Sequence, residues 1–410
     1  MRRFFILAMI FGVFSTVSAQ EERLQVAASY TILADVVQNV AGDAADVTTL
    51  MPVNADPHTF EPTPRDLTVL ADADVIFVNG ALFEEGLLES IESAGENTNI
   101  LEASTCVEMI AYGAGGHDHS DEEHADEDHS DEDHSDEEHS DEDHADEDHS
   151  EGEEVEVSSE MVELCSGHEA EFEAIHDMRE VDEDGEEHDH EHGETLGALY
   201  AVDCGEGHDH DDEDGEEMAE GDHDHEHGAC DPHVWMNPHN VMYWTMMIRD
   251  TLVEMDPNNA DAYTANAEAY LLELDSLMHD FIIPSMDSIP EANRVLVTNH
   301  ESLGYLANYF EMEVVATVLP GNVTGAEPST AAIADVIDTI NEEGVSAIFA
   351  ETTVSDDITQ QVANETGAEI FTLYSGSLSA ADGPAATYID YMTYNVGTIA
   401  DALSAGEAAS

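Results

Sequence analysis

The sequence predicts an α/β protein: two lobes, each on a parallel sheet, joined by a long helix and carrying a largely disordered His-, Asp- and Glu-rich insert. Three observations lead there. Short apolar runs alternate with helical patterns on both sides of the insert, one long helical stretch separates the two halves, and residues 115–229 break the rhythm.

In chain order, Leu24 to Ala28 reads as a strand, Thr31 to Ala41 as a helix, Val47 to Met51 as a strand, Pro64 to Ala71 as a helix and Val75 to Asn79 as a strand, with Glu85 to Ser93 helical. Beyond the insert, Val241 to Met255 is amphipathic. Asn259 to Ile283 follows as one helix, because Tyr263, Ala267, Tyr270, Leu274, Leu277 and Phe281 recur at steps of four and three, and Pro284 is expected to end it. Alternation then resumes: Val295 to Thr298, Leu303 to Phe310, Val314 to Val318, Ala331 to Glu343, Ala347 to Ala350, Ser355 to Thr366, Glu369 to Tyr374 and a last helix near Thr387 to Leu403. The expected organisation is a leader at 1–19, an N-terminal lobe at 20–256 that includes the insert, a linking helix at 257–286 and a C-terminal lobe at 287–410.

Met1-Arg2-Arg3, an apolar centre from Phe4 to Phe14 and Val17-Ser18-Ala19 before Gln20 describe a secretory signal peptide cleaved after Ala19. No Cys follows that point and no later apolar run is long enough to span a bilayer, so an exported monomer outside the cytoplasmic membrane, neither lipid-anchored nor membrane-integral, is expected.

Charge narrows the partners. With Lys+Arg 7 against Asp+Glu 96 the formal net charge is -89, a field that repels nucleic acid and anionic lipid and draws cations. The insert region 111–230 holds 51 of the 96 acids, so the excess extends beyond it and points to adaptation to high salt.

Within the insert, His119, His124, His129, His134, His139, His144 and His149 recur every five residues among Asp, Glu, Ser and Ala. Five residues advance about 500° on a helix, so these rings spiral and do not pair as i,i+4 neighbours would. The HxH clusters differ. His188, His190 and His192, His208 and His210, and His223, His225 and His227 place alternate rings on one side of an extended chain, where they can hold an ion between them. Several weak exchanging sites that collect zinc are the expected role, against a plain solubilising polyanion. Val155 to Cys165 and Thr195 to Asp203 are apolar enough to form a small strand pair. Four cysteines in an oxidising compartment predict two bridges, Cys106 with Cys230 at the base of the insert and Cys165 with Cys204 inside it.

Three further histidines stand in strand-end or turn positions: His58 in Asp56-Pro57-His58, His233 in Asp231-Pro232-His233 and His300 after Val295-Leu296-Val297-Thr298-Asn299. Ligand crevices of open α/β sheets lie beyond the carboxyl ends of the strands. The repeated Asp-Pro-His triplet adds a stiff backbone and a carboxylate able to accept from an imidazole. Read by themselves, these residues either converge on one metal or serve as loop and cap residues.

The stretches "DPHTFEPTPRDL", "DPHVWMNPHN", "NHESLGYLANYF", "AIFAETTVSDDITQQVANETGAEI" and "TYIDYMTYNV" make residues 24–404, outside the insert, resemble the ZnuA-like periplasmic zinc- and manganese-binding receptors of ABC importers. That resemblance implies two Rossmann-like lobes, a rigid linking helix and one metal in the cleft, with His58, His233 and His300 as ligands. A His at the third position favours Zn²⁺ over Mn²⁺, and three imidazoles leave one tetrahedral position open. Many relatives carry an Asp followed by Ser in the final strand-end motif. Here Tyr374-Ser375-Gly376-Ser377-Leu378 puts Gly376 there, and water, Glu351, Asp382 or a loop histidine is left as fourth ligand. Glu61 is either a partner for His58 or the start of the next helix. His239 and His279 read as surface or helix residues, and Trp235 and Tyr305 as packing around the cleft.

The function expected is capture of zinc and its presentation to an ABC permease, with no enzymatic activity. The competing readings are a manganese receptor, an extracellular metal buffer or adhesin, and a zinc hydrolase, the last lacking HExxH or an evident general base.

Overall fold

The two inner strands of each sheet are largely apolar and mostly buried, as expected where both faces are covered by helices. In a computed structural model, which describes residues 23–81, 83, 84, 86, 87, 90, 91, 98–111, 159–177, 230–319 and 328–404, these segments form two four-stranded parallel sheets. The N-terminal half comprises β1 (Leu24–Ala28), α1 (Thr31–Ala41), β2 (Ala45–Thr49), α2 (Pro64–Asp72), β3 (Val75–Val78) and β4 (Asn99–Glu102). Its strand order is β2-β1-β3-β4.

Next come α3 (Ser159–Asp177), α4 (Pro238–Met255), α5 (Ala260–Leu277), a π-helical turn (Met278–Ile282) and α6 (Ile283–Asp287). The C-terminal half comprises β5 (Val295–Thr298), α7 (Gly304–Tyr309), β6 (Glu313–Thr317), α8 (Thr330–Glu343), β7 (Ala347–Glu351), α9 (Asp357–Thr366), β8 (Glu369–Leu373) and α10 (Tyr388–Ser404). Its order is β6-β5-β7-β8, so both halves repeat one topology with the switch point between first and third strands.

Local sequence explains most boundaries. Val75, Ile76, Phe77 and Val78 are all buried in β3, and all five residues of β7 are buried. Strand β4 is a sheet edge, mostly exposed, and lacks the apolar run that would announce it. On α1, Ile32, Leu33, Val36, Val37 and Val40 form one buried stripe. Helix α2 opens with Pro64 and a capping box in which Asp66 Oδ2 accepts from Thr63 N at 2.8 Å. Gly344 and Gly367 close α8 and α9 with left-handed backbone (φ 69° and 83°), where any residue with a β-carbon is disfavoured.

Helices α1, α4 and α5 pack on one another, and α10 reaches both α1 and α5. One apolar cluster therefore runs from β1 through α4 and α5 to α10, while Val297, Val318, Ile340, Ile348, Val362 and Ala363 form a second one in the C-terminal lobe. Polar contacts also tie the lobes: Thr31 Oγ1 accepts from Leu378 N at 2.8 Å, Ser377 Oγ from Asn54 N at 2.9 Å, and Asp35 Oδ2 from Tyr388 N at 2.9 Å.

Three expectations need correction. The segment expected to be a strand from Val155 to Cys165 is helical from Ser159, and α3 docks on α4 and α5 through the Phe172–Tyr243 ring stack and the Arg249 ion pair with Glu171. That docking changes the disulfide. Cys165 comes beside the 3₁₀ turn Ala103–Cys106, with the two Cα atoms 5.3 Å apart, and the bridge is Cys106–Cys165, not Cys106–Cys230 with Cys165–Cys204. The base of the insert is closed instead by an antiparallel backbone bridge, Ala111 to Cys230, with Cys230 also disulfide-bonded.

Third, Pro284 does not end the long helix. The π turn precedes it, and Pro284 sits in the first turn of α6, where no intrahelical N–H is needed. The signal peptide, the pentad array, the HxH clusters (His188, His190, His192, His208, His210, His223, His225, His227), the Thr195 to Asp203 strand and Cys204 lie outside the described residues.

Candidate metal centre

Three turns deliver the histidines to one place. Leu50 N and Met51 N continue the β1 ladder by donating to Ala28 O and Ser29 O, and the chain then turns through Pro52 and Asn54 to Asp56-Pro57-His58. Asp56 Oδ1 accepts from His58 N at 3.1 Å and Oδ2 from Thr59 Oγ1 at 3.0 Å, which fixes the loop. His233 comes just before a 3₁₀ turn, Val234–Met236, that leads into α4. His300 stands two residues beyond β5, where Asn299 N donates to Phe349 O of the neighbouring strand.

The ring centroids are 5.4 Å (His58–His233), 5.2 Å (His58–His300) and 5.0 Å (His233–His300) apart. One ligand atom from each ring lies within 4.8 Å of the others. His58 Nε2 and His233 Nε2 are 3.3 Å apart. His233 and His300 are buried, and His58 is half-buried.

In His233 and His300 the nitrogen facing away from the centre is held by a carboxylate. Asp231 Oδ1 lies 2.7 Å from His233 Nδ1 and accepts from His233 N at 2.9 Å. Glu351, the last residue of β7, has its carboxylate oxygens 3.2 and 3.3 Å from His300 Nδ1. It also accepts from Ser302 Oγ at 2.5 Å and from Ser375 Oγ. With Nδ1 turned to Glu351, His300 Nε2 is left buried without a hydrogen-bond partner. The group could hold a metal ion, with outer carboxylates fixing two of the rings and the inner nitrogens facing the centre.

The electrostatics agree. Burial, then the proximity of His233 and His300, lowers the His58 pKa to about 3, and burial with His300 depresses His233 well below its ordinary value. Burial pushes Asp231 up to about 7. Burial opposes charge on both members of the other pair, yet Glu351 outweighs it and raises His300, while the His300 charge and its hydrogen bonds with the two serines hold Glu351 down at about 2. Three imidazoles, two of them buried and backed by carboxylates, form a set that could hold a divalent cation.

Around this centre, Phe83 packs edge-on against His58 at 5.1 Å and against Trp235 at 4.8 Å. Trp235 Nε1 donates to Ser375 O, and Tyr305 OH donates to Asp231 O at 3.0 Å, so both aromatic residues pack around the site as expected. Phe83, Ser302 and Ser375 escaped the sequence reading: Ser302 lies in the stretch NHESLGYLANYF and Ser375 in the final strand-end motif, but neither was assigned a role there. Their only signal is position, Ser375 lying just beyond the end of β8 and Ser302 shortly after β5.

The alternatives for a fourth ligand sort differently. Glu351 is not among the three residues whose ligand atoms converge, Asp382 is exposed in a turn, and Glu61 is exposed ahead of the Thr63 cap. Gly376 is tightly packed: a β-carbon there would stand 2.8 and 2.9 Å from Pro57 Cδ and Cγ. His239 lies in the first turn of α4, the helix position among the two expected of it, and is buried and ring-packed against Phe172 because α3 covers that side of α4. His279 lies in the π-helical turn, with ligand atoms of His176 and Asp275 close enough that the three could hold an ion.

The family model described as ZnuA, zinc-uptake complex component A, periplasmic, matches residues 26–402. The chain belongs to this family. It is accordingly an extracytoplasmic metal-binding substrate-binding protein of an ABC transporter and not an enzyme, working with a permease and an ATPase. Members differ in the metal their names carry. The chain is 27% identical over 388 residues, 94% of its own length and 91% of the relative's, to the manganese-binding lipoprotein MntA of Halalkalibacterium halodurans. It is 37% identical over 175 residues, 42% of this chain and 55% of the relative, to the iron-binding protein YfeA of Yersinia pestis. The periplasmic zinc-binding protein TroA of Treponema pallidum shares the fold, with TM-score 0.60 at 18% identity over 93% of this chain and 100% of that one. No described helix is long and apolar enough to cross a membrane.

Proposed function

We propose that the family's metal site in this chain is a zinc site, with His58, His233 and His300 as ligands, and that the protein captures Zn²⁺ outside the cytoplasmic membrane for delivery to an ABC permease. The observation that carries this is the approach of three imidazoles to within 4.8 Å, two of them held from behind by Asp231 and Glu351. Neutral imidazole is a borderline donor that suits Zn²⁺, whereas Mn²⁺ is better served by carboxylate and water. Three nitrogen ligands leave a fourth tetrahedral position for water or for handover. Glu351 acts through His300, holding the ring and balancing charge. A swing of Glu351 onto the ion would instead give the mixed N/O set that favours manganese.

Chelator competition on the full chain tests this, with zinc and manganese as the probes. His58→Ala, His233→Ala and His300→Ala should each abolish tight binding of a single ion, and zinc should displace manganese from the unsubstituted protein. Tight binding retained by all three variants defeats the assignment, and preference for manganese defeats the choice of metal.

For the His-rich insert the reading is a zinc reservoir that raises the local concentration near the cleft. Deleting residues 117–149 should lower the number of weakly bound zinc ions while the tight site persists. An unchanged stoichiometry would remove that role.

A further inference from the structure

A second group of metal-ligating side chains stands apart from the cleft. His176 near the end of α3, Asp275 on α5 and His279 in the π turn that follows offer one ligand atom each, all within 4.8 Å of one another. The His176 and His279 ring centroids are 5.0 Å apart, and His239 of α4 lies 6.1 Å from His279 on the same side. We propose that His176, Asp275 and His279 form a second divalent transition-metal site, and that metal bound there clamps the insert's helix onto the linking helix.

Asp275 is 4% exposed in the last turn of α5, and a carboxylate that deeply buried requires cationic or hydrogen-bonding compensation. His279 follows at i+4, with Nδ1 2.9 Å from the Asp275 carbonyl oxygen and 3.2 Å from Oδ1. The π turn widens the helix where His279 sits, a local irregularity often found at functional positions. The third ligand comes from a different element. Helix α3 is anchored upstream by the Cys106–Cys165 bridge, by His168 Nε2 at 2.8 Å from Asp250, and by the Arg249–Glu171 pair. Those anchors bring His176, about one and a half turns beyond the last of them, against α5. Two imidazoles and one carboxylate suit zinc and leave at least one coordination position open.

None of the three residues belongs to the cleft set, so this site stands or falls independently of the zinc assignment there. A metal ion joining α3 to α5 must be released before α3 can lift away, and the linkage raises the free energy of that opening.

Amide hydrogen exchange of the full-length protein, with and without zinc, is the test. With zinc at 100 times the dissociation constant of this site, exchange in residues 159–177 should slow by up to about 100-fold in the unsubstituted chain. His176→Gln and Asp275→Asn should each abolish the slowing, while chelator competition still detects the tight cleft ion and so shows that both variants are folded. No zinc-dependent slowing in the unsubstituted chain, or equal slowing in the variants, overturns the proposal.

Discussion

Gly376 lies directly against Pro57: a β-carbon on residue 376 would stand 2.8 Å from the proline Cδ. The two residues belong to opposite lobes, and Pro57 immediately precedes His58. The final strand-end motif and the first Asp-Pro-His triplet are therefore in van der Waals contact beside the metal centre, and residue 376 can carry no side chain without moving one of them.

Gly376→Ala should accordingly destabilise the metal-free protein by about 1–3 kcal/mol, the usual penalty for overpacking. It should also weaken zinc binding, since Pro57 can retreat only by carrying His58 with it. Thermal melting and chelator competition measure the two effects. An unchanged melting temperature together with unchanged affinity would show that the lobes do not meet at this point.

Glu351→Gln keeps the shape of the side chain and removes its charge. The His300 ring loses the carboxylate that raises its pKa, and Ser302 and Ser375 lose a charged acceptor. Zinc affinity should fall about 10–100-fold, the range typical of lost outer partners of a ligating histidine. Were Glu351→Ala to bind zinc as well as the parent, the orienting role would be wrong.

The pH dependence divides by residue. In the metal-free protein His300 has a raised pKa, so zinc must displace a proton from it, and affinity should fall about tenfold per pH unit once the pH drops below that value, which lies above the ordinary 6.5.

Stability of the metal-free fold follows different groups. His58 and His233 are depressed on folding, so the unfolded chain binds more protons than the native one below pH 6.5, and stability falls as pH drops from there toward the folded value, about 3 for His58. The His300 contribution has the opposite sign. It is fully present below pH 6.5 and is lost as pH rises through its raised pKa. Asp231 and Glu84, each raised to about 7 by burial, contribute with the opposite sign over the same range, so the difference between two proteins is the readout: in urea unfolding of the metal-free protein from pH 8 to pH 4, His58→Ala should lose less stability below 6.5 than the parent.

Removal of the Cys106–Cys165 bridge, which closes a span of 59 residues, should cost about 4 kcal/mol on the chain-entropy model. Cys165→Ala should also speed amide exchange throughout residues 159–177, since that bond is the covalent anchor of α3. Unaltered exchange in α3 would mean that its packing on α4 holds it without the bridge.

The parallel α/β architecture and most of its elements were legible in the sequence because helix and strand periodicity are local properties. Burial follows from the repeat of apolar residues over a handful of positions, as in β3 and α1. Strand β4 was not legible, because an exposed edge strand has no such repeat. The triplets Asp56-Pro57-His58 and Asp231-Pro232-His233, and His300 after β5, marked the candidate ligands for the same reason: each is a local pattern beside a turn or a strand end.

Tertiary packing alone decided what those residues meet. Asp231 and Glu351 both read as carboxylates near a strand end or turn, yet folding sets each against the Nδ1 of one histidine. The partner of Cys165 depends on α3 docking against α4, and the junction of His176 with Asp275 and His279 depends on the same docking, within a stretch whose composition had masked a helix. Contacts between residues a hundred positions apart are set by how whole elements stack, and the neighbours of a residue in the chain carry no record of that.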